Sequence, residues 1–294
     1  MIPKPRRVLV VANPAAGLRR GRDAGEVAAR AVRRLGTPPE LARTRGPGDA
    51  RILAAEAAAA GFDMVLAVGG DGTAHEVANG IAGTRVVLAV APAGTMNLLA
   101  RVLRVPLDPG LAAEVAVLGG RRLVMRPGRA GETLFLLMAG VGFDAWVLRE
   151  LLGRRRGKIG FRDYVLGGLR GLGTYPFPRI RFEMPGETAE AGAAIIGRAP
   201  LYGGFLRPTP RASLERDVLD ACLLGARSPV ELLRLLPALW SGAHVGRSGV
   251  ANRLVTRLRA SSDHEDVPVQ LDGEPAGRLP VEFSLSERAL TLAR

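Results

Sequence analysis

The chain opens on an unbroken apolar run, Val8–Ala12. It is too short for a helix and has no polar alternation, the pattern of a strand buried on both faces. Arg22–Leu35 follows with apolar positions at Val27, Ala31, Val32 and Leu35, one face of a helix. The same alternation recurs. Glu40–Arg43 reads as a short strand, and Asp49 is placed to cap an alanine-rich helix ending near Ala60. Met64–Val68 is a third strand before a helix to about Ile81. Val86–Val90 is a fourth, before a helix to about Leu103. Short apolar strands joined by helices predict an open, parallel α/β sheet, in which ligands bind at the carboxyl ends of the strands.

The rhythm changes after Pro106. Strand-like pieces follow at Leu134–Met138, Arg179–Glu183, Ala193–Gly197, Val218–Leu224, Leu254–Arg259, Val267–Leu271 and Val281–Leu285. They predict a mainly antiparallel β domain. Ser228-Pro229-Val230-Glu231 has capping-box spacing with proline at the first helical position, so a helix runs to about Trp240, its apolar residues assigned mostly to the core. The expected division is an α/β domain over residues 1–122 and a β-rich domain over 123–287.

Glycine marks the ends of three of the predicted strands. Gly69-Gly70-Asp71-Gly72-Thr73 directly follows the third strand and opens a helix. Glycines there let backbone approach a phosphate, and the helix N-terminus supplies N–H groups and a positive dipole end. No Gly-Lys-Ser/Thr follows, so this is not a Walker A loop. Asp71 is a candidate for holding a metal ion or orienting a nucleotide. Pro92-Ala93-Gly94-Thr95-Met96-Asn97 holds the equivalent place after the fourth strand, and Asn13-Pro14-Ala15-Ala16-Gly17 follows the first. Far along the chain, Gln270-Leu271-Asp272-Gly273-Glu274 sets two carboxylates around a glycine at a strand end. That pattern serves equally for a solvated hairpin turn and for carboxylates that orient or deprotonate a hydroxyl.

Charge and composition add less. The formal net charge is +13, and all but Lys4 and Lys158 of the 41 basic residues are arginine. Such a balance suits an anionic partner, and equally reflects an arginine- and alanine-rich composition. Basic residues do cluster: Leu151–Leu172 carries Arg154, Arg155, Arg156, Lys158, Arg162 and Arg170 against Asp163, among Ile159, Phe161, Tyr164, Val165, Leu166 and Leu169. This is either a solvated arginine face or an interfacial helix on an anionic leaflet, where each basic residue adds about 1 kcal/mol. Aromatics are 4% of the chain and no nucleic-acid-binding motif is present, so no nucleic-acid partner is expected. The sole cysteine, Cys222, lies in an apolar run and reads as core. No apolar segment approaches a membrane span or a signal h-region, so the expectation is a cytoplasmic protein.

Together Gly69–Thr73, Gly94–Asn97 with Leu98-Leu99-Ala100-Arg101, Tyr202-Gly203-Gly204 and Leu271–Glu274 resemble the bacterial lipid kinases of the diacylglycerol kinase catalytic-domain family, in register from Val8 to about Ala293. The first glycine loop is shared with NAD kinases; the Tyr-Gly-Gly and Asp-Gly-Glu segments favour the lipid side. The resemblance implies an ATP-binding α/β nucleotide domain to which residues 288–294 return, a β-sandwich-like second domain, ATP and Mg²⁺, a lipid hydroxyl as acceptor at the inner membrane surface, and a protein peripheral to that membrane. Asn13, Pro14, Ala15, Ala16, Gly17, Thr44, Gly69, Gly70, Asp71, Gly72, Thr73, Ala74, His75, Thr95 and Asn97 would contact nucleotide. Asp71 would be near its Mg²⁺, and Glu274 would accept the proton with Asp272 in support. A homodimer is left open. Two departures stand out. Leu98 follows the asparagine of the second loop where the family commonly has aspartate. The family's structural magnesium segment is represented by Ser213-Leu214-Glu215-Arg216-Asp217-Val218-Leu219-Asp220, with Arg216 at a ligand position and Asp217 and Asp220 as the aspartates present. Either those two hold a cation or an arginine charge substitutes for it. NAD as acceptor, or a binding protein without turnover, are the rival readings.

Overall fold

The computed structural model describes residues 4–17, 20–119, 121–154, 161–204 and 206–294. The chain divides into two compact units, Met1–Pro127 with Ser286–Arg294, and Gly128–Leu285.

In the first unit the elements run β1 (Val8–Ala12), α1 (Arg20–Arg34), β2 (Glu40–Arg43), α2 (Asp49–Ala59), β3 (Met64–Gly69), α3 (Asp71–Ile81), β4 (Val87–Pro92), α4 (Leu98–Leu103), α5 (Pro109–Val117) and β5 (Arg122–Met125). Its sheet has the order β2-β1-β3-β4-β18-β5, where β18 (Leu290–Ala293) is the last strand of the chain. Strands β1, β2, β3 and β4 pair in parallel, β18 runs parallel to β4, and β5 is antiparallel to β18. Every residue of β1 and β3 is buried, as their unbroken apolar runs require. The unit boundary falls at Pro127 rather than at residue 122, because β5 completes this sheet against β18. Helix α2 is also capped differently from expectation. Its N-cap is Gly48, with φ 87°, and Asp49 turns back to accept the Arg45 amide at 2.6 Å. Glu76 of α3 takes the amides of Gly48 and Ala50 at 2.9 and 3.0 Å, fastening α2 to α3.

The second unit contains β6 (Gly128–Ala130), β7 (Thr133–Phe135), β8 (Met138–Val141), α6 (Phe143–Arg154), α7 (Phe161–Thr174), β9 (Ile180–Met184), β10 (Glu187–Ala191), β11 (Ala193–Gly197), β12 (Leu219–Leu224), α8 (Pro229–Ser241), β13 (Val250–Val255), β14 (Arg257–Ser261), β15 (Pro268–Leu271), β16 (Glu274–Arg278) and β17 (Val281–Leu285). Two antiparallel sheets result, ordered β10-β9-β14-β17-β6-β7 and β13-β12-β11-β8-β15-β16. They share one core, built from Phe182, Leu258 and Phe283 on one sheet and Ile196, Leu219, Ala221 and Val269 on the other. This is the expected β-sandwich-like domain. The period of two along β12 sends Leu219, Ala221 and Leu223 into that core. Cys222 and Leu224 face the opposite way, onto a second cluster with Leu232 and Leu239 of α8, bordered by Phe143 of α6 and Leu172 of α7. Helices α6, α7 and α8 therefore cover the outer face of the β12 sheet.

Two predicted strands are each two strands. Leu134–Met138 breaks at Leu136–Leu137, and Leu254–Arg259 breaks at Thr256, where the chain crosses from one sheet to the other. Hydropathy alone does not mark such a crossing, since both sides stay apolar.

Candidate functional site

In the first unit β1, β3 and β4 are adjacent and parallel, so the loops after them leave the same edge of the sheet side by side. The Gly69–Thr73 and Ala93–Asn97 loops touch. The amides of Ala93 and Gly94 donate to the Gly69 carbonyl at 2.8 and 3.2 Å. A Cβ on Gly94 would lie 2.5 Å from the Gly70 Cα, so glycine is required where the two backbones cross. Gly70 is the N-cap of α3 and supplies no side-chain cap. The first amides of α3 lack carbonyl partners within their own helix and point toward the strand ends, an anion-binding geometry. The loop after β1 joins this edge: Asn13 Nδ2 donates to Thr73 Oγ1 at 3.2 Å, and its Oδ1 accepts the Ala15 amide at 2.9 Å. The Thr44 amide donates to the Ala12 carbonyl at 2.9 Å, which brings β2's end to the same rim.

The structure gives several of these residues work other than the expected one. The Asp71 carboxylate accepts the amides of Leu98 and Leu99, both at 2.9 Å. It thus caps α4, the helix after the neighbouring loop, and locks the two loops together. At Leu98, where an aspartate was expected, it is the backbone that makes the contact. Each Asp71 oxygen thus accepts one backbone amide. Asn97, at φ 50°, exchanges hydrogen bonds with Gly94, its Oδ1 accepting the Gly94 amide and its Nδ2 donating to the Gly94 carbonyl, each at 2.9 Å. It shapes the loop. The side chains of Thr73, Ala74 and His75 are buried, so what Ala74 and His75 can offer a ligand from solvent is backbone. Pro14, Ala15 and Thr95 are exposed, Gly17, Gly70 and Gly72 partly so, while Ala16 and Gly69 are buried.

In the second unit Asp272 and Gly273 form the tight turn between β15 and β16, with φ 50° and 89°. Positive φ at both positions is the hairpin signature that Asp-Gly favours. Glu274 begins β16 and is exposed. The Asp272 carboxylate does not face solvent chemistry. It accepts three successive amides, Leu136 at 2.6 Å, Leu137 at 2.8 Å and Met138 at 2.9 Å, and this is what breaks the predicted Leu134–Met138 strand. Its support for Glu274 is therefore through the fixed turn.

Beside the turn lies a carboxylate that sequence reasoning missed. Asp144, in the first turn of α6, accepts Gln270 Nε2 at 2.6 Å and the Tyr202 hydroxyl. Gln270 Oε1 accepts the Gly273 amide at 2.7 Å, so one buried glutamine joins Asp144 to the Asp272–Glu274 turn. Burial raises Asp144 to about 6, opposed by the Gln270 hydrogen bond. A Cβ on Gly140 would stand 2.0 Å from Asp144 Oδ2 and 2.7 Å from Gln270 Nε2. Two glycines closing an apolar strand just before an aspartate, Gly140-Val141-Gly142-Phe143-Asp144, were the available signal.

The expected structural cation site is not formed by Asp217 and Asp220. Asp217 is exposed, whereas Asp220 is fully buried on β12, accepting the Arg211 amide at 2.9 Å with Arg211 Nη2 3.6 Å away. No group of three metal-ligating side chains occurs among the described residues. The local backbone carbonyls instead meet the fully buried Arg198. Its Nη1 donates to the carbonyls of Arg216 and Val218 at 2.5 and 2.6 Å, and its Nη2 to that of Leu214 at 3.3 Å. The arginine that meets these carbonyls is Arg198, from β11's end, rather than Arg216. Cys222 is buried and its thiol is pushed up to about 12, chiefly by burial, consistent with a core residue.

Of the basic segment, residues 155–160 lie outside the described residues. Leu166, Leu169 and Arg170 of α7 are exposed. Among the described residues no helix is long and apolar enough to cross a membrane.

Comparison with known proteins matches residues 7–125 to the diacylglycerol kinase catalytic domain and residues 138–294 to the YegS C-terminal NAD kinase beta sandwich-like domain. The chain is 32% identical over 257 residues to a diacylglycerol kinase of Mycobacterium tuberculosis, covering 84% of this chain and 81% of that one. It is 32% identical over 281 residues to a probable lipid kinase YegS-like of Pseudomonas aeruginosa, covering 93% and 90%. A crystal structure of a putative diacylglycerol kinase from Bacillus anthracis superposes with a TM-score of 0.80 at 21% identity, over 99% of this chain and 98% of that one.

Proposed function

The chain belongs to the bacterial diacylglycerol kinase family, whose members here are lipid kinases by name, and from this we infer that it transfers the γ-phosphate of ATP to a lipid hydroxyl, with diacylglycerol or a related lipid as acceptor. The observation that carries the reading is the crossing of the Gly69–Thr73 and Ala93–Asn97 loops at adjacent strand ends, with Asp71 and Gly94 as its fasteners. Phosphoryl transfer asks little covalent chemistry of a protein; it needs fixed donors around the phosphates. The α3 N-terminus and the loop backbones supply them, with Asn13, Thr44 and Thr95 at the rim.

Glu274 receives the proton of the lipid hydroxyl as that oxygen bonds to the γ-phosphorus. The bond from γ-phosphorus to the β,γ-bridging oxygen breaks, and ADP leaves with the electron pair. Asp272, Gln270 and Asp144 hold the turn that presents Glu274. Mg²⁺ bound with the nucleotide would supply charge neutralisation at the phosphates, and Asp71, the candidate residue near it, fastens the two loops there. The lipid is met at the inner membrane surface, with residues 151–172 contacting anionic headgroups and the protein peripheral to the membrane.

Incubation with γ-labelled ATP, Mg²⁺ and bacterial lipid extract is expected to place label in the organic phase. Glu274→Gln is expected to keep ATP binding and to lose transfer. Unchanged turnover in that variant refutes the assignment of the proton acceptor. Label appearing in NADP rather than in lipid refutes the lipid reading.

A further inference from the structure

Helix α8 is apolar on two faces. Leu232, Leu235 and Leu239 recur at i, i+3 and i+7 and enter the cluster against β12, as a core-facing stripe should. Leu233, Leu236 and Trp240 repeat the same spacing one residue later and face outward, 42%, 40% and 64% exposed. Val230 and Pro237 lie on that outward side as well. A surface helix ordinarily carries charge there. The assignment of these residues to the core is thus corrected: about half of α8's large apolar side chains meet solvent.

Two further observations say what covers this face. First, α7 lies over the same cluster as α8 through Leu172, and it too turns leucines outward, Leu166 and Leu169 at 52% and 59% exposure, with exposed Arg170 beside them. Both helices thus lie on the outer face of the β12 sheet. Secondly, the bordering charge is basic. Arg234 is exposed within α8, Arg247 follows it, and the exposed Arg207 packs at the helix's C-terminal Gly242, donating its amide to the Leu239 carbonyl at 2.9 Å. The one acid of the helix, Glu231, is occupied at the N-terminus by the Arg227 amide at 2.8 Å. Apolar side chains with a terminal tryptophan, edged by arginines, match the boundary between acyl chains and anionic headgroups.

We propose that the outward face of α8 is a docking surface for an anionic lipid bilayer. The inference extends the lipid-kinase reading, and its test is independent of it. The full-length protein, without nucleotide, is sedimented with phosphatidylglycerol–phosphatidylcholine vesicles and with phosphatidylcholine vesicles. Binding to the anionic vesicles is expected, with salt weakening it. Leu233→Gln with Leu236→Gln and Trp240→Gln is expected to lower vesicle affinity at least about tenfold. Its thermal unfolding, and turnover on detergent-dispersed lipid, should stay unchanged. Arg207→Glu with Arg234→Glu, which leaves the apolar face intact, is expected to abolish the preference for the anionic vesicles. Vesicle binding that the apolar triple variant leaves unaltered overturns the proposal. So does a wild-type dimer in solution that the triple variant converts to monomer, since the face would then belong to a second copy. A wild-type protein that binds vesicles but phosphorylates no lipid refutes the kinase reading and leaves this one standing; one that phosphorylates dispersed lipid but ignores vesicles does the reverse.

Discussion

Gln270 donates to Asp144 at 2.6 Å and accepts the Gly273 amide at 2.7 Å, so a carboxylate on a helix and a turn between two strands are held by one side chain. The amide is well suited to this, having a donor and an acceptor at one end, and its burial leaves neither free to choose water. Gly140, lacking a Cβ, makes the space. The position of Glu274 is thereby fixed from both sides of its hairpin: by Asp272 on the 136–138 amides, and by Gln270 on Gly273.

Asp144 gives the fold a pH dependence with a definite sign. Its pKa is raised from 3.8 to about 6 by burial, so the folded state holds this proton more tightly than the unfolded chain. The group's contribution to stability is full below about pH 4 and is lost as pH rises through about 6. Asp144→Asn removes the titration. Between about pH 4 and 7, unfolding free energies from urea melts should shift in favour of the variant by up to about 3 kcal/mol relative to wild type. Parallel pH profiles for the two proteins contradict this.

Gly94→Ala places a Cβ 2.5 Å from the Gly70 Cα, and backbone cannot swing aside as a side chain can. A loss of about 1–3 kcal/mol in stability is expected, together with loss of nucleotide affinity, because the two glycine loops separate. Calorimetric melting and titration with ATP measure both. Gly131→Ala, at a positive-φ position with open space around it, serves as the control for a purely conformational cost.

Asp272→Asn retains size but offers the amides of Leu136, Leu137 and Met138 one acceptor oxygen instead of two, and turns an N–H group toward donors. A destabilisation of about 2–3 kcal/mol is expected, with activity falling as the Glu274 turn loosens. An unchanged melting temperature in this variant speaks against the clamp.

Arg198 predicts metal independence. Since its guanidinium already holds the carbonyls of Leu214, Arg216 and Val218, a chelator should leave the melting temperature of the nucleotide-free protein unchanged. Arg198→Met leaves those carbonyls without their donor and is expected to cost about 3 kcal/mol or more. A chelator that lowers the melting temperature of the wild type contradicts the first expectation.

The sequence by itself determined the alternation of apolar strands and helices in the first unit, the β-rich second unit, and the glycine loops at strand ends, because each rests on local periodicity or on a backbone conformation that only a few residues allow. Gly69–Thr73 and Asp272-Gly273 were legible for that reason. Tertiary structure alone decided what the side chains at those loops do. Asp71 reaches Leu98 and Leu99, Asp272 reaches Leu136–Met138, and Arg198 reaches Leu214–Val218, each contact joining segments that sequence spacing does not relate. The same holds for β5, which pairs with β18 and moves the unit boundary, and for α8, whose two apolar stripes look alike in sequence although only one meets the core. Apolar periodicity says that a face wants burial; which partner provides it depends on chain topology, and topology sets the distances over which a carboxylate or a guanidinium finds its backbone partners.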